Sequence, residues 1–209
     1  MTEKSKKLRL GILLSCGGRT MVNIAEYIGR GELDAEIVTA ISSRSTVGGV
    51  ERARQLGLEP HIVRKKDHPD VDAFSRQMVE LLDEAGVDLV LQCGWLCLWK
   101  IPAHYENRVM NIHPALLPSF PGWHGVEDAM AYGVKVTGCT VHVATLEVDA
   151  GPILAQEAVP VLDDDSVDSL HERIKTVERR LYVDTVARLV ADPSILDRAR
   201  APHVRPRPS

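Results

Sequence analysis

Short apolar runs alternate along the chain with segments in which apolar residues recur every three or four positions. The apolar runs at residues 8–14, 36–41, 60–63 and 87–93 predict strands, and helical spacing at residues 21–28, 50–56 and 71–85 separates them. The run at 87–93 is apolar almost throughout, as in a strand covered on both faces. This alternation predicts an α/β fold, a Rossmann-like, mostly parallel twisted sheet with helices on both faces.

The second half of the chain continues the pattern with shorter connections. Residues 109–113, 135–144 and 152–161 predict further strands, and residues 127–132 a short helix. The last predicted helix has a buried stripe of apolar residues at helical spacing: Leu170, Ile174, Val177 and Leu181. Residues 1–190 therefore predict a single domain, and residues 191–209, rich in proline and arginine, predict a disordered tail.

Composition narrows the class of protein. The chain has 209 residues and a net charge of -4, which gives no basic surface for nucleic acid. Its four cysteines form no C-x-x-C pair, as expected of reduced thiols in a cytosol. No apolar run approaches the roughly 20 residues of a membrane helix. These observations predict a soluble, cytoplasmic protein with neither a nucleic-acid nor a membrane partner.

Two polar side chains stand out in the run V-M-N-I-H-P at residues 109–114. Asn111 and His113 are two positions apart on a predicted strand, so they project from the same face. Pro114 favours ending the strand there, at the carboxyl end where open α/β sheets bind ligands. Asp149 lies in a later loop, D-A-G-P. Singly, such a histidine is more often structural and such an aspartate a turn former; together the three predict an acyl-transfer site.

A glycine turn follows the first predicted strand. The sequence S-C-G-G-R-T at residues 15–20 joins a strand to a helix, where backbone N–H groups can bind a phosphate. A simple tight turn is the alternative interpretation. The dinucleotide fingerprint G-x-G-x-x-G is absent, which argues against a dehydrogenase. The histidines His113, His124 and His142 lack the spacing of metal motifs, so no metal is expected.

Three segments carry a resemblance to a known family. The runs N-I-H-P-A-L-L-P-S-F-P-G, G-C-T-V-H-V and D-A-G-P-I-L-A-Q-E-A-V-P-V resemble the folate-dependent formyltransferases, especially those acting on glycinamide ribonucleotide. The likeness spans residues 8–190 and is most specific across 109–161. It implies the formyltransferase fold with antiparallel C-terminal strands, a phosphate-binding half (8–105), and a catalytic and folate-binding half (106–190). It also implies that Asn111, His113 and Asp149 are the catalytic set.

The resemblance also implies the remaining site residues. Those expected at the substrate phosphate and ribose are Ser15, Cys16, Gly17, Gly18, Arg19, Thr20, Lys175 and Glu178. Those expected at the folate are Gln92, Leu96, Cys97, Leu98, Trp99, His142 and Val148, and His124 is expected to position the substrate.

Five positions depart from the family pattern. Cys16, Arg19 and Thr20 stand where the family usually has glycine, serine and asparagine. Val71 and Cys97 stand where arginines usually reach the folate tail. These departures leave open which amine accepts the formyl group and how the tail of the folate is bound.

The implied activity transfers the formyl group of 10-formyltetrahydrofolate, a co-substrate, to the amine of 5-phosphoribosylglycinamide in purine synthesis. Direct attack through a tetrahedral intermediate is expected, with Asp149 raising the pKa of His113. The alternatives are a formyltetrahydrofolate hydrolase, a formyltransferase acting on another amine, or a non-enzymatic phosphate-binding module. The oligomeric state is expected to be a monomer or a homodimer.

Overall fold

The computed structural model describes residues 7–199, which contain one continuous mixed sheet. Its strands are β1 (Leu8–Leu14), β2 (Ala35–Ser42), β3 (His61–Ile62), β4 (Leu89–Gln92), β5 (Val109–His113), β6 (Val136–Val143) and β7 (Ile153–Pro160). The helices are α1 (Arg19–Gly29), α2 (Gly48–Gln55), α3 (Val71–Glu84), α4 (Gly125–Tyr132), α5 (Val167–Ala191) and α6 (Ser194–Arg198). No helix in this described range is long and apolar enough to cross a membrane.

The strand order confirms the predicted fold class. The sheet runs β3-β2-β1-β4-β5-β6-β7, and the pairs from β3 to β5 are parallel. The pairs β5–β6 and β6–β7 are antiparallel, as the family resemblance implied. Because β6 runs antiparallel to β5, it lies directly beside Asn111 and His113.

Each face of the sheet has its own core, because successive strand side chains point to opposite faces. Leu10, Ile12 and Leu14 of β1 pack in one cluster with residues of α1 and α5. Leu13 points the other way, into a cluster with Phe74 of α3. Helices therefore cover both faces, as the apolar character of the central strands predicted.

A split between β4 and β5 provides the space for a site. The two strands pair only at Val90–Val109 and Leu91–Met110, and β5 then continues to His113 without β4 beside it. The buried hydroxyl of Tyr182, on α5, lies 3.0 Å from the carbonyl oxygen of Met110 and 3.3 Å from that of Gln92. It donates to this pair of carbonyls at the point where the strands separate, which satisfies backbone groups that the split would otherwise leave unpaired.

The predicted disorder after residue 190 requires a correction. Residues 194–198 form α6, and Ile195 and Leu196 pack against the core cluster of α1 and α5. The carboxylate of Asp192 accepts from the backbone N–H of Ser194 at 3.2 Å and from the guanidinium of Arg198 at 2.6 Å. This capping and packing stabilise a short helix despite the proline-rich composition. The rest of the predicted tail, residues 200–209, lies outside the described residues.

Candidate active site

A cavity of about 600 Å³ opens where the loops after β1, β4 and β6 meet the free part of β5. Asn111, His113 and Asp149, the three predicted catalytic residues, all line it. Its wall also contains residues from the first half of α5. The topology therefore brings together three side chains that are separated by up to 38 positions in the sequence.

Asn111 is held by a strand partner. The antiparallel register of β5 and β6 places it directly opposite His142, with Asn111 Nδ2 3.2 Å from His142 Nε2. His142 Nδ1 lies 3.0 Å from the carbonyl oxygen of Val143 and so carries a proton. Nε2 therefore accepts from the Asn111 amide when the ring is neutral, and it donates toward Asp149 Oδ1 only when the ring is protonated. An amide nitrogen has two hydrogens, so the second N–H of Asn111 remains for a ligand in the cavity.

His113 lies between two oxygen acceptors and is 4% exposed. Its Nε2 donates to the carbonyl oxygen of Phe120 at 2.8 Å, and its Nδ1 is 3.3 Å from Asp149 Oδ2. Burial lowers the pKa of His113 by more than the Asp149 carboxylate and the Phe120 carbonyl raise it. Asp149 therefore raises the pKa of His113, as predicted, but desolvation outweighs this effect and the net pKa is lowered.

Asp149 is fixed by its backbone and by its contacts. Its φ of 53° is in the left-handed region, which aspartate and asparagine tolerate better than other residues with a side chain. Its Oδ2 accepts from the backbone N–H of Gly122 at 2.8 Å, and its Oδ1 is 3.4 Å from His142 Nε2. Burial opposes the charge of Asp149, but the adjacent His142 ring and the Gly122 N–H together hold its pKa below the ordinary value.

One end of the cavity is basic. The glycine turn, Cys16 to Thr20, forms the start of α1 there, and Lys175 and Glu178 face it from α5. Arg179 and His171 also line the cavity, although the sequence analysis did not select them. Both are four positions from Lys175, so helical spacing could have revealed them. Burial raises the pKa of Glu178 to about 7, although Lys175 and Arg179 lower it.

The other end is apolar. The predicted folate-binding residues Gln92, Leu96, Cys97, Leu98, Trp99 and Val148 all line the cavity. Trp99 is buried, whereas Leu98 is 52% exposed. Trp123, which follows Gly122, also lines the cavity with 60% of its surface exposed. The sequence analysis missed Trp123. A large aromatic residue next to a glycine in a predicted loop could have indicated it.

The comparisons with known proteins agree with this arrangement. A family model described as formyl transferase matches residues 8–186. The chain belongs to the formyl transferase family. The phosphoribosylglycinamide formyltransferase of Mycobacterium tuberculosis (strain CDC 1551 / Oshkosh) is 41% identical over 187 residues, which are 88% of this chain and 86% of that protein. The protein of the same name from Escherichia coli (strain K12) is 30% identical over 84% of each chain. The crystal structure of glycinamide ribonucleotide transformylase 1 from Symbiobacterium toebii superposes with a TM-score of 0.88, at 37% identity over 91% of each chain.

Two residues that the family resemblance placed in the site lie elsewhere. Ser15 is fully buried outside the cavity lining, where its Oγ accepts from the Ser43 hydroxyl at 2.6 Å and from the Leu96 N–H at 2.9 Å. It therefore connects the glycine turn to the segment after β4 and does not face a phosphate. His124 is exposed at the start of α4 and is not part of the cavity lining.

His142, which was predicted to bind folate, lines the cavity. Its ring contacts Asn111 and Asp149 and is 2% exposed. It therefore supports the catalytic set from behind, in addition to lining the cavity. Both halves of the domain contribute to both ends of the cavity: Arg19 and Lys175 line the basic end, and Leu98 and Val148 line the apolar end. Among residues 7–199, no group of three histidine, cysteine, aspartate or glutamate side chains could hold a metal ion.

Proposed function

We propose that this protein transfers the formyl group of 10-formyltetrahydrofolate to the amine of 5-phosphoribosylglycinamide, a step of purine synthesis. The observation that carries the proposal is the position of Asn111, His113 and Asp149 on one cavity, between a basic end and an apolar end. A phosphorylated acceptor suits the basic end, and a flat pterin suits the apolar end. The names of the relatives point to the same reaction.

Both substrates bind in the one cavity, so the amine attacks the formyl carbon without a covalent enzyme intermediate. Holding two reactants in contact replaces a bimolecular encounter by an effectively intramolecular step. Attack turns the formyl oxygen into an oxyanion. The free N–H of Asn111 donates to that oxygen, while its other N–H remains on His142.

His113 accepts the proton of the attacking amine, and Asp149 stabilises the charge that results. Because His113 Nε2–H donates to Phe120, the neutral ring presents the lone pair of Nδ1 toward Asp149 and the cavity. The lowered pKa keeps the ring in this basic form before reaction. When the amine loses its proton, His113 Nδ1 accepts it, and the carboxylate 3.3 Å away stabilises the imidazolium. The same Nδ1–H then donates to the departing folate nitrogen.

The decisive experiment follows tetrahydrofolate release from 10-formyltetrahydrofolate, with and without 5-phosphoribosylglycinamide. Release that requires the amine is the expected result. Release that ignores the amine would make the protein a hydrolase, and no release in either reaction would refute both activities. His113→Ala should abolish release, whereas His61→Ala, on the exposed edge strand β3, is the matched control.

The proposed cellular setting is the cytoplasm. The four cysteines form no C-x-x-C pair, which is expected of reduced thiols in that compartment. The proposed assembly is a monomer or a homodimer. Light scattering during gel filtration distinguishes the two, and a larger assembly would contradict the proposal.

A further inference from the structure

The charged residues around the cavity are distributed unevenly. Its lysine and arginine residues are Arg19, Lys175 and Arg179, and all three belong to α1 or α5. These two helices pack on the same face of the sheet. Every Lys or Arg that lines the cavity in the described part of the chain therefore lies at the end proposed for the phosphorylated acceptor.

The opposite end has the reverse character. Cys97, Ile101 and Ala144 line it and pack with the core on the other face of the sheet. The one charged side chain of the two segments that build this end, residues 95–99 and 144–148, is Glu147, which is exposed and negative. Lys100 follows Trp99 in sequence, but it forms an ion pair with Asp72 and does not line the cavity.

Exposed apolar surface accompanies this lack of positive charge. Leu98 and Trp123 line the cavity and keep half or more of their side-chain surface in solvent. Covering such surface with an apolar part of a ligand is favourable in proportion to the area removed from water. A carboxylate at this end would instead meet the acid Glu147 and no cation of the cavity wall.

We infer that this enzyme selects its formyl donor by the donor's ring system and apolar middle, and not by the anionic glutamate tail that folates carry. The inference rests on the proposed function, because it concerns the donor of that reaction. It specifies the donor class more finely: formyl compounds with a neutral tail serve as well as those with a glutamate tail.

The test compares two donors that share one ring system. One is 10-formyl-5,8-dideazafolate, which carries glutamate, and the other is the same molecule ending in a neutral N-methylbenzamide. The KM values measured with saturating acceptor should agree within about threefold, because an exposed charge interacts weakly with its surroundings. An increase in KM of about tenfold or more for the neutral donor would overturn the inference.

Salt gives an internal control in the same enzyme. Raising sodium chloride from about 50 mM to about 500 mM screens exposed charges, so the KM of the phosphorylated acceptor should rise severalfold. The KM of the glutamate donor should stay constant or fall. A donor KM that rises in parallel with that of the acceptor would contradict the inference.

A substitution tests whether this end of the cavity meets the tail. Cys97→Arg adds a cation among the lining residues, and Cys97→Ala is the matched control that removes the thiol without adding charge. Cys97→Arg should lower the KM of the glutamate donor relative to that of the neutral donor, compared with the same ratio in Cys97→Ala. An equal effect on both donors would place the tail elsewhere and refute the inference.

Calorimetric binding of both donors to the unreacted enzyme keeps this test separate from the activity. If neither donor is consumed while both bind with equal affinity, the proposed function fails and the inference about donor binding holds. If formyl transfer proceeds but only the glutamate donor binds, the proposed function holds and the inference about donor binding fails.

Discussion

Replacing Asp149 by asparagine separates the charge of this residue from its shape. Asparagine tolerates the left-handed backbone at this position, where φ is 53°, and its side-chain oxygen can still accept from the Gly122 N–H. Asp149→Asn therefore preserves the fold of the loop. What it removes is the negative charge beside His113 Nδ1.

The size of the effect follows from the distance between the two groups. At an effective dielectric constant of about 20, opposite charges whose nearest atoms are 3.3 Å apart attract by about 4–5 kcal/mol. This attraction exists only when His113 is protonated, so it stabilises the transition state and not the resting enzyme. We expect kcat to fall by about 10³–10⁴-fold, with little change in the KM of either substrate.

The assay measures kcat with both substrates saturating, alongside circular dichroism and thermal unfolding. Asp128→Asn, an exposed aspartate in the first turn of α4, is the matched control and should keep full activity. A folded Asp149→Asn protein with less than about a tenfold loss of kcat would refute the role of this carboxylate. A tenfold loss corresponds to only about 1.4 kcal/mol of transition-state stabilisation, well below the calculated attraction.

Three further predictions concern Asn111, Glu178 and Tyr182. Asn111→Ala removes one oxyanion donor and should lower kcat by about 10²–10³-fold; a change confined to KM would contradict this role. Glu178 has a pKa of about 7, above that of the unfolded chain, so its protonated form stabilises the fold at low pH and this contribution is lost as pH rises through about 7. Glu178→Gln should therefore raise the free energy of unfolding at pH 8 by on the order of 1–3 kcal/mol, with little difference at pH 4.5. The KM of the acceptor should increase. Denaturant titrations in which the stability difference does not depend on pH would refute the prediction. Tyr182→Phe leaves the two carbonyls of the strand split without their donor and should cost about 1–3 kcal/mol in denaturant unfolding, and an unchanged midpoint would show that the hydroxyl contributes nothing.

The sequence predicted those features that depend on local periodicity or on a short motif. Asn111 and His113 face the same way because strand side chains alternate, and this could be read from two positions in the sequence. The long α5 likewise followed from its apolar stripe.

The features that the sequence analysis missed depend on non-local geometry. The contact between Asn111 and His142 depends on the register of β5 against β6, which no local pattern determines. Ser15 is adjacent to the glycine turn but points into the protein, because the loop after β4 packs over it. The net direction of the His113 pKa depended on burial, which requires knowing what surrounds the ring.

Helix α5 fixes the relative positions of two parts of the enzyme. Glu178 lines the basic end of the cavity, and Tyr182, four positions later, holds the diverging ends of β4 and β5. Each residue of a helix turns by about 100° relative to the one before it, so inserting a single residue between these two would point one of them away from its target. The spacing of four residues on one helix thus sets the distance between the basic end of the cavity and the split in the sheet that precedes Asn111.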